Sequence, residues 1–445
     1  MNAREEALNT LIDIENNGKM SHIAVGDTLM RHQFASKQDR AFYTRLCQGV
    51  MERRIYLDYI LDHYSRKPMK SCKPLIRNLL RLGAYQILFM DVRDAAACNE
   101  SVRLARKRHF HNLAGFVNGL LRRIVREKDH LPLPDKSDPD YYDSVVYSMP
   151  EWIVRLLRDQ YGSETTEMML ASFPEESPLT VRINHSRIGR EELEEMFVRE
   201  GIHAVPGCFS RDAYRLSGVN YLQKYESFRR GYYSVQDESS MLPVIVSGLK
   251  AGDTVLDICS APGGKALQAA DILKGTGLVI ARDLSDYKGD LIEENVRRTG
   301  CSNVRIETWD ALNYDPSLEE KADLVLADLP CSGLGVMGRK NDIKYRLRPE
   351  QLGELQELQR RILSLAWRYV KPGGELIYST CTLNRGENDD NRTWILENTP
   401  LKAAGFEDKL PEILRGRGGE EGYIQVVPGK DPADGFYVSR FIKPE

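Results

Sequence analysis

The sequence predicts three parts in series: an all-α domain, a small α+β module and a doubly wound α/β core, over residues 1–135, 140–240 and 241–445. Three observations carry this. Apolar residues recur at intervals of three and four through the first 130 residues. The proline-rich stretch LPLPDKSDPD (131–140) then breaks that pattern as a linker would. From about residue 245, short β-branched runs alternate with helical stretches, the rhythm of parallel strands joined by helices.

In order along the chain, EEALNTLIDI, YTRLCQGVMERRIYLDYILDHY, LIRNLLRLGAYQILFM and LAGFVNGLLRRIV each place apolar side chains on one helical face. Turns are expected at Asn16-Asn17-Gly18, from Ser65 to Lys70 and from Asp91 to Asp94. In the middle module a helix starts after Pro150, a strand follows at 179–184 (LTVRIN), then come a charged helix (REELEEMFVREG) and an aromatic turn (RRGYYSVQDESS). The core strands are DTVLDIC, GLVIARD, NVRIETWD, ADLVLAD and GELIYST. A ligand is expected at their carboxyl ends.

Composition sets the class. Of 445 residues, 42% are hydrophobic and 29% charged, as in an ordinary soluble protein. No apolar run reaches membrane-spanning length and MNAREEALNT is no signal peptide, so a cytoplasmic protein is expected. The cysteines stand at 47, 72, 98, 208, 259, 301, 331 and 381, none at CxxC spacing, and no metal site is expected. All eight histidines lie at or before His203, so chemistry in the C-terminal half rests on Cys, Asp, Glu, Lys or Tyr. The net charge is −3, yet residues 1–130 hold 23 lysines and arginines against 14 acids. That imbalance points as readily to an appended nucleic-acid-binding module as to a solvated helical domain.

The richest segment is Asp257 to Lys265, DICSAPGGK. A phosphate-binding P-loop would need glycine where Cys259 stands and a hydroxyl where Ala266 stands. A dinucleotide fingerprint is also missing. An S-adenosylmethionine site fits better. The glycine turn brings backbone N–H groups to a carboxylate, Asp283 at the next strand end suits ribose hydroxyls, and Asp310 at the third can meet an adenine amino group. Cys331 and Cys381 follow two later strands. Each is a nucleophile, a ligand or a small buried thiol on position alone.

The blocks DICSAPGGK, LADLPCSGLGV (326–336) and IYSTCTLNRGEN (377–388) resemble the signatures of RNA (cytosine-5) methyltransferases of the NOL1/NOP2/Sun type. RIN (182–184), YYSVQDESS (232–240) and DGFYVSRF (434–441) match as well. The helical N-terminus, with FVNGLLRR (116–123), is similar to the NusB-like RNA-binding domain of the bacterial Sun/Fmu subgroup, which methylates 16S ribosomal RNA. The resemblance spans nearly the whole chain. It implies a Rossmann-like, S-adenosylmethionine-dependent core and a monomer acting on 16S rRNA, naked or in an assembling small subunit.

The resemblance also implies site roles. Cys381 attacks C6 of the cytosine, which makes C5 an enamine-like carbon able to accept a methyl group. Cys331 helps break the covalent adduct. Asp328 meets the N3/N4 edge of the base, and Lys265 faces base or cofactor. The cofactor falls to Cys259, Ser260, Ala261, Pro262, Gly263, Gly264, Lys265, Asp283, Asp310 and Asp328. Leu329, Ser260 and Ala266 depart from the family's usual Ala, Ala and Thr without removing a reactive group. Arg339, Lys340 and Lys344 are placed to meet phosphates, and Tyr232 and Tyr233 to stack on bases or to pack. A tRNA substrate, or a non-catalytic NusB-like RNA-binding factor, are the alternatives.

Overall fold

A computed structural model describes residues 1–175, 178–219 and 221–445. The chain divides into two compact units, Met1–Pro174 with Arg339–Arg346, and Glu175–Gly338 with Leu347–Glu445.

The first unit is all-α. Its helices are α1 (Ala3–Asn17), α2 (Ser21–Arg31), α3 (Lys37–Glu52), α4 (Arg54–Tyr64), α5 (Pro74–Phe89), α6 (Asp94–Lys107), α7 (Ala114–Glu127), α8 (Pro139–Val146), α9 (Glu151–Tyr161) and α10 (Ser163–Ser172). Local chemistry sets their ends. The Asn2 side chain accepts from Glu5 N and caps α1, and Gly18 closes it in the left-handed conformation. Ser36 caps α3, and Asp138 caps α8 ahead of Pro139. Residues 43–64, read as one amphipathic run, split at Arg53 into α3 and α4. A one-residue break barely disturbs a 3.6-residue period, so the pattern alone does not reveal it. Leu8, Leu46, Leu57, Leu80, Tyr85 and Leu121 centre the core. Residues 140–174, grouped with the middle module on sequence, form helices that cluster with this unit.

The second unit begins with β1 (Leu179–Ile183), α11 (Arg190–Arg199), β2 (His203–Pro206), β3 (Ala213–Ser217), α12 (Glu226–Arg229) and β4 (Tyr233–Val235). The four strands form one antiparallel sheet in the order β2-β3-β1-β4. The core follows with α13 (Glu238–Ile245), β5 (Thr254–Asp257), α14 (Gly264–Leu273), β6 (Leu278–Asp283), α15 (Asp286–Thr299), β7 (Val304–Thr308) and β8 (Ala322–Asp328). After a helical turn α16 (Ile343–Arg346), it continues with α17 (Glu350–Ala366), β9 (Val370–Thr380), α18 (Asp389–Asn398), β10 (Lys402–Ala403), β11 (Tyr423–Val426) and β12 (Phe436–Ile442).

The large sheet runs β10-β12-β9-β8-β5-β6-β7, with β11 paired to β12. Strands β5 to β9 are parallel, and β12 is antiparallel to β9. Alternate residues bury on opposite faces: Val255, Leu324, Leu326 and Ile377 on one, Leu256, Val325, Leu376 and Tyr378 on the other. That two-sided burial is why the strands read as continuous apolar runs. From β5 the chain moves outward through β6 and β7, then returns to lay β8 on β5's other side. The reversal opens a crevice at the carboxyl ends of β5 and β8, where ligands of doubly wound sheets bind.

The short segment Arg339–Arg346 belongs to the helical unit. Asp342 accepts from Ser21 N and Ser21 Oγ (3.2 and 2.7 Å), and Tyr345 lies under the Arg54 guanidinium at 3.6 Å. Lys344 is 4% exposed and donates to Glu52 O at 2.9 Å. Burial lowers the Lys344 ammonium to about 7. Lys344 is therefore a packed residue, contrary to the phosphate contact expected from sequence, while Arg339 and Lys340 are exposed.

Candidate active site

The loop after β5 is shaped by its own glycines and by β6. Ser260 N donates to Arg282 O (2.8 Å), Ala261 N to the Asp283 carboxylate (2.8 Å) and Gly263 N to Ser260 O (2.6 Å). The Ala261-Pro262 bond is cis, and Gly263 has φ +100°, which a side chain rarely tolerates. Gly263 opens α14 directly, so the loop ends in the free N–H groups of a helix terminus.

Of the predicted cofactor residues outside the loop, Asp283 and Asp328 contact it directly. Asp283 is 4% exposed and also accepts from Leu284 N and Lys288 Nζ, both at 2.7 Å. Asp310 accepts from Leu312 N (2.9 Å) and so shapes the turn after β7. Burial pushes the Cys259 thiol up.

One residue absent from the sequence-based set stands out. Asp257, the last residue of β5, is 1% exposed, and neither of its carboxylate oxygens has a partner at hydrogen-bonding geometry among the described residues. The Ser260 hydroxyl and the Cys259 N–H face the carboxylate and lower its pKa slightly, without reaching full hydrogen-bond geometry. Burial raises the Asp257 carboxyl to about 7, against the opposing charge of Lys265. Orphaned buried polar atoms beside a glycine loop are what a ligand's polar groups would satisfy. A carboxylate at a strand end is also the commonest of turn residues, so position gave no signal.

Lys265 and Asp328 link this loop to the next. Lys265 Nζ lies 2.6 Å from Asp328 Oδ2 and 3.1 Å from Ser240 Oγ, over the ring of Phe436 at 5.2 Å. Asp328 Oδ1 accepts from Ser379 Oγ at 2.8 Å. The pair bridges α14, β8 and β9. Ser240 and Phe436 come from two of the supporting sequence blocks, which explains their place in the pattern.

The two cysteine loops end neighbouring parallel strands, β8 and β9. Cys331 Sγ and Cys381 Sγ lie 3.3 Å apart. The hydrogen bond to Cys381, then burial, raises the Cys331 thiol. Glu387, fully buried, fastens both loops. It accepts from Ser332 N (2.9 Å), Ser332 Oγ (2.5 Å), Gln359 Nε2 (3.0 Å) and Asn384 Nδ2 (3.2 Å). Gly335 N donates to Cys381 O at 3.0 Å, closing the loops on each other. Glu387 sits inside a quoted block, yet its role emerges only when the fold joins residues 332, 359 and 384.

Basic surface is found in both units. In the helical unit a groove of about 1170 Å³ holds Arg66, Lys67, Lys73, Arg108 and Arg123 around Phe110 and other apolar side chains. In the second unit Tyr233 is buried against Phe197 and Phe228, while Tyr232 remains partly exposed. Among the described residues no cluster of His, Cys, Asp and Glu could hold a metal, and no helix is long and apolar enough to cross a membrane.

Comparison with known proteins accounts for all three parts. Residues 244–442 match the family described as 16S rRNA methyltransferase RsmB/F, residues 1–126 the NusB family, and residues 149–220 the ferredoxin-like domain of RsmF/B-like methyltransferases. The chain is 36% identical to a probable ribosomal RNA small subunit methyltransferase B of Bacillus subtilis, over 98% of this chain and 97% of that one. It is 30% identical to ribosomal RNA small subunit methyltransferase B of Vibrio cholerae, over 98% and 96%. Among solved structures, PH0851 superposes with a TM-score of 0.82 at 24% identity over 98% of each chain. NSun6 from Pyrococcus horikoshii, solved with SFG, gives 0.60 at 21% over 67% of this chain and all of that one. These two likenesses show the fold. With full-length relatives at this identity and each part matched in order, the chain belongs to the RsmB/F family of 16S rRNA methyltransferases.

Proposed function

We propose that the protein transfers a methyl group from S-adenosylmethionine to C5 of a specific cytosine in 16S ribosomal RNA, through a covalent bond between Cys381 and C6 of the base. The observation that carries this is the 3.3 Å approach of two thiols beside the Lys265–Asp328 pair. Methyl transfer to an already nucleophilic atom needs no thiol. A pyrimidine carbon needs one to be activated and benefits from a second when the adduct is broken.

The residues divide the work as follows. Cys259 through Lys265, with Asp283, Asp310 and Asp328, hold the cofactor, and Asp257 and Ser260 offer it unpaired acceptors. S-adenosylmethionine supplies an electrophilic methyl group. Asp328 meets the N3/N4 edge of the cytosine, and Lys265 keeps positive charge where negative charge develops on the ring. The Cys381 sulfur adds to C6, and C5 gains the electron density that takes the methyl group. Loss of the C5 proton to a base then expels Cys381 from C6. Cys331 keeps its proton because its pKa is raised. It donates to the departing sulfur and makes it a better leaving group.

Residues 1–135 and 140–240 would hold RNA, and residues 241–445 carry the chemistry. The target base must be unpaired or flipped, because C6 lies inside a stacked helix. The protein would act as a cytoplasmic monomer on naked rRNA or on an assembling small subunit. The test is to incubate it with labelled S-adenosylmethionine and with RNA and small-subunit particles from cells lacking the gene, then map 5-methylcytosine. Label at one cytosine of 16S rRNA is the expected result. Label only in tRNA would transfer the reading to tRNA, and no label in any RNA would favour a non-catalytic RNA-binding factor.

A further inference from the structure

We propose that a cleft lined by Arg187, Arg229, Arg230, Tyr232, Arg297 and Arg298 binds the sugar-phosphate backbone of the RNA substrate, apart from the pocket that takes the reacting base. It rests on the RNA-substrate reading above and adds a second contact point within the catalytic unit. The cleft has a volume of about 700 Å³, and among the described residues Glu294 is its one acidic lining residue.

The cleft is built, not incidental. It forms where the antiparallel module meets the last turn of α15. Asn184 Nδ2 donates to Gly231 O (2.8 Å) and Thr299 O (3.1 Å), tying the two together. Gly231, at φ +69°, sits so close that an added Cβ would lie 2.0 Å from Arg298 O. Arg187 Nε donates to Thr299 O (2.8 Å), and Arg298 to Tyr233 O (2.8 Å) and Phe228 O (3.2 Å). Arg298 is half-buried and forms the floor, Arg187 is exposed beside it, and both leave their charge in the cleft.

Arg229, Arg230 and Arg297 are exposed as well. Arg229 donates to Gln223 O and Lys224 O, and Arg230 and Arg297 pair with Glu226 (2.7 Å) and Glu293 (2.8 Å) on their own helical segments. The Arg297 side chain is 78% exposed and that of Arg230 59%. Exposed pairs of this kind contribute little and give way to a phosphate at small cost. Guanidiniums match phosphate oxygens in two-pronged geometry, and Tyr232 offers a ring to an unstacked base.

Position favours RNA over an acidic peptide. Asn295 on α15 donates to Pro262 O in the cofactor loop and accepts from Arg298, each at 3.1 Å. Arg297 lies about 7.5 Å along the helix axis from Ile292, which packs under Gly263. Helix α15 thus carries the cleft and supports the cofactor loop on one element, so RNA held in the cleft is fixed relative to the loop where the methyl donor would sit.

The test uses the full-length chain with Arg229, Arg230 and Arg297 all changed to Glu, and a second variant with the same three changed to Gln. Binding of a fluorescent 16S rRNA fragment is measured over a range of salt, alongside RNA KM, kcat and S-adenosylmethionine affinity. For three lost phosphate contacts, Kd should rise about tenfold at moderate salt and the slope of log K against log salt should fall by about 2. The KM for RNA should rise, with kcat at saturating RNA and cofactor affinity unchanged. Unchanged Kd and slope in both variants would overturn the proposal, as would polyglutamate competing as well as RNA does. If the wild type binds RNA through this cleft yet methylates none, the methyltransferase reading fails and the cleft stands.

Discussion

The Sγ atoms of Cys331 and Cys381 lie 3.3 Å apart at the ends of adjacent parallel strands. Neighbouring strands of a parallel sheet carry their loops out at the same end, so two thiols 50 residues apart in sequence meet across the β8–α17–β9 crossover. The thiol–thiol hydrogen bond and burial raise the Cys331 thiol, so the two sulfurs are held together as a protonated pair.

The proposed roles of the two cysteines assign opposite consequences to two small substitutions. Cys381→Ala should abolish turnover and form no adduct with RNA. Cys331→Ala should lose turnover yet accumulate an RNA–protein complex that survives denaturing electrophoresis. An adduct in the first variant, or normal turnover in the second, would reverse or remove the assignment.

Glu387 should matter to both loops at once. Removing its carboxylate leaves the donors of Ser332, Gln359 and Asn384 unpaired in a buried site. Glu387→Ala should therefore destabilise the protein by about 3 kcal/mol in chemical denaturation. Glu387→Gln, which keeps one acceptor, should recover part of that stability. If Ala and Gln variants unfold at the wild-type midpoint, Glu387 does not fasten the loops.

The Lys265–Asp328 pair is placed to act on charge that develops during addition. Asp328→Asn should lower kcat by about 10²- to 10³-fold and weaken cofactor binding by a smaller factor, since it serves both base and cofactor. Lys265→Met should lower kcat similarly and also weaken cofactor binding, because Lys265 closes the glycine loop. Single-turnover kinetics and cofactor titration separate the two. Equal loss of kcat and cofactor affinity in Asp328→Asn would place that residue with the cofactor alone.

Much of this site was legible because its chemistry is local. Strand, glycine loop and helix follow one another from Thr254 to Leu273, so DICSAPGGK could be placed without a structure. Cys331 and Cys381 each follow a recognisable strand for the same reason. What escaped is long-range. The arginine cleft draws on residues 187, 229, 230, 297 and 298, none of which forms a motif with the others. Lys344 looked like a surface cation beside the Pro-Cys loop, but its neighbours are Glu52 and Arg54, almost 300 residues earlier. The last strand, β12, was visible only as a family block because an antiparallel closing strand has no helix after it to mark it.

Asp257 gives a pH signature independent of activity. Its carboxyl is raised from 3.8 to about 7 by burial. The folded state therefore holds a proton that the unfolded chain has already released between about pH 4 and 7. Over that window the native state binds more protons, so stability falls as pH rises, by about 1.4 kcal/mol per unit. Asparagine is nearly isosteric and does not titrate. The advantage of Asp257→Asn over the wild type should therefore grow by about 2–3 kcal/mol between pH 5 and pH 8. Urea denaturation at the two pH values measures this directly. A difference between the proteins that is constant from pH 5 to pH 8 would mean that the Asp257 carboxyl titrates in its ordinary range. Because this buried carboxylate lies against the glycine loop that would hold the cofactor, the stabilised variant should also bind S-adenosylmethionine more weakly, the trade expected where a buried charge is kept for a ligand.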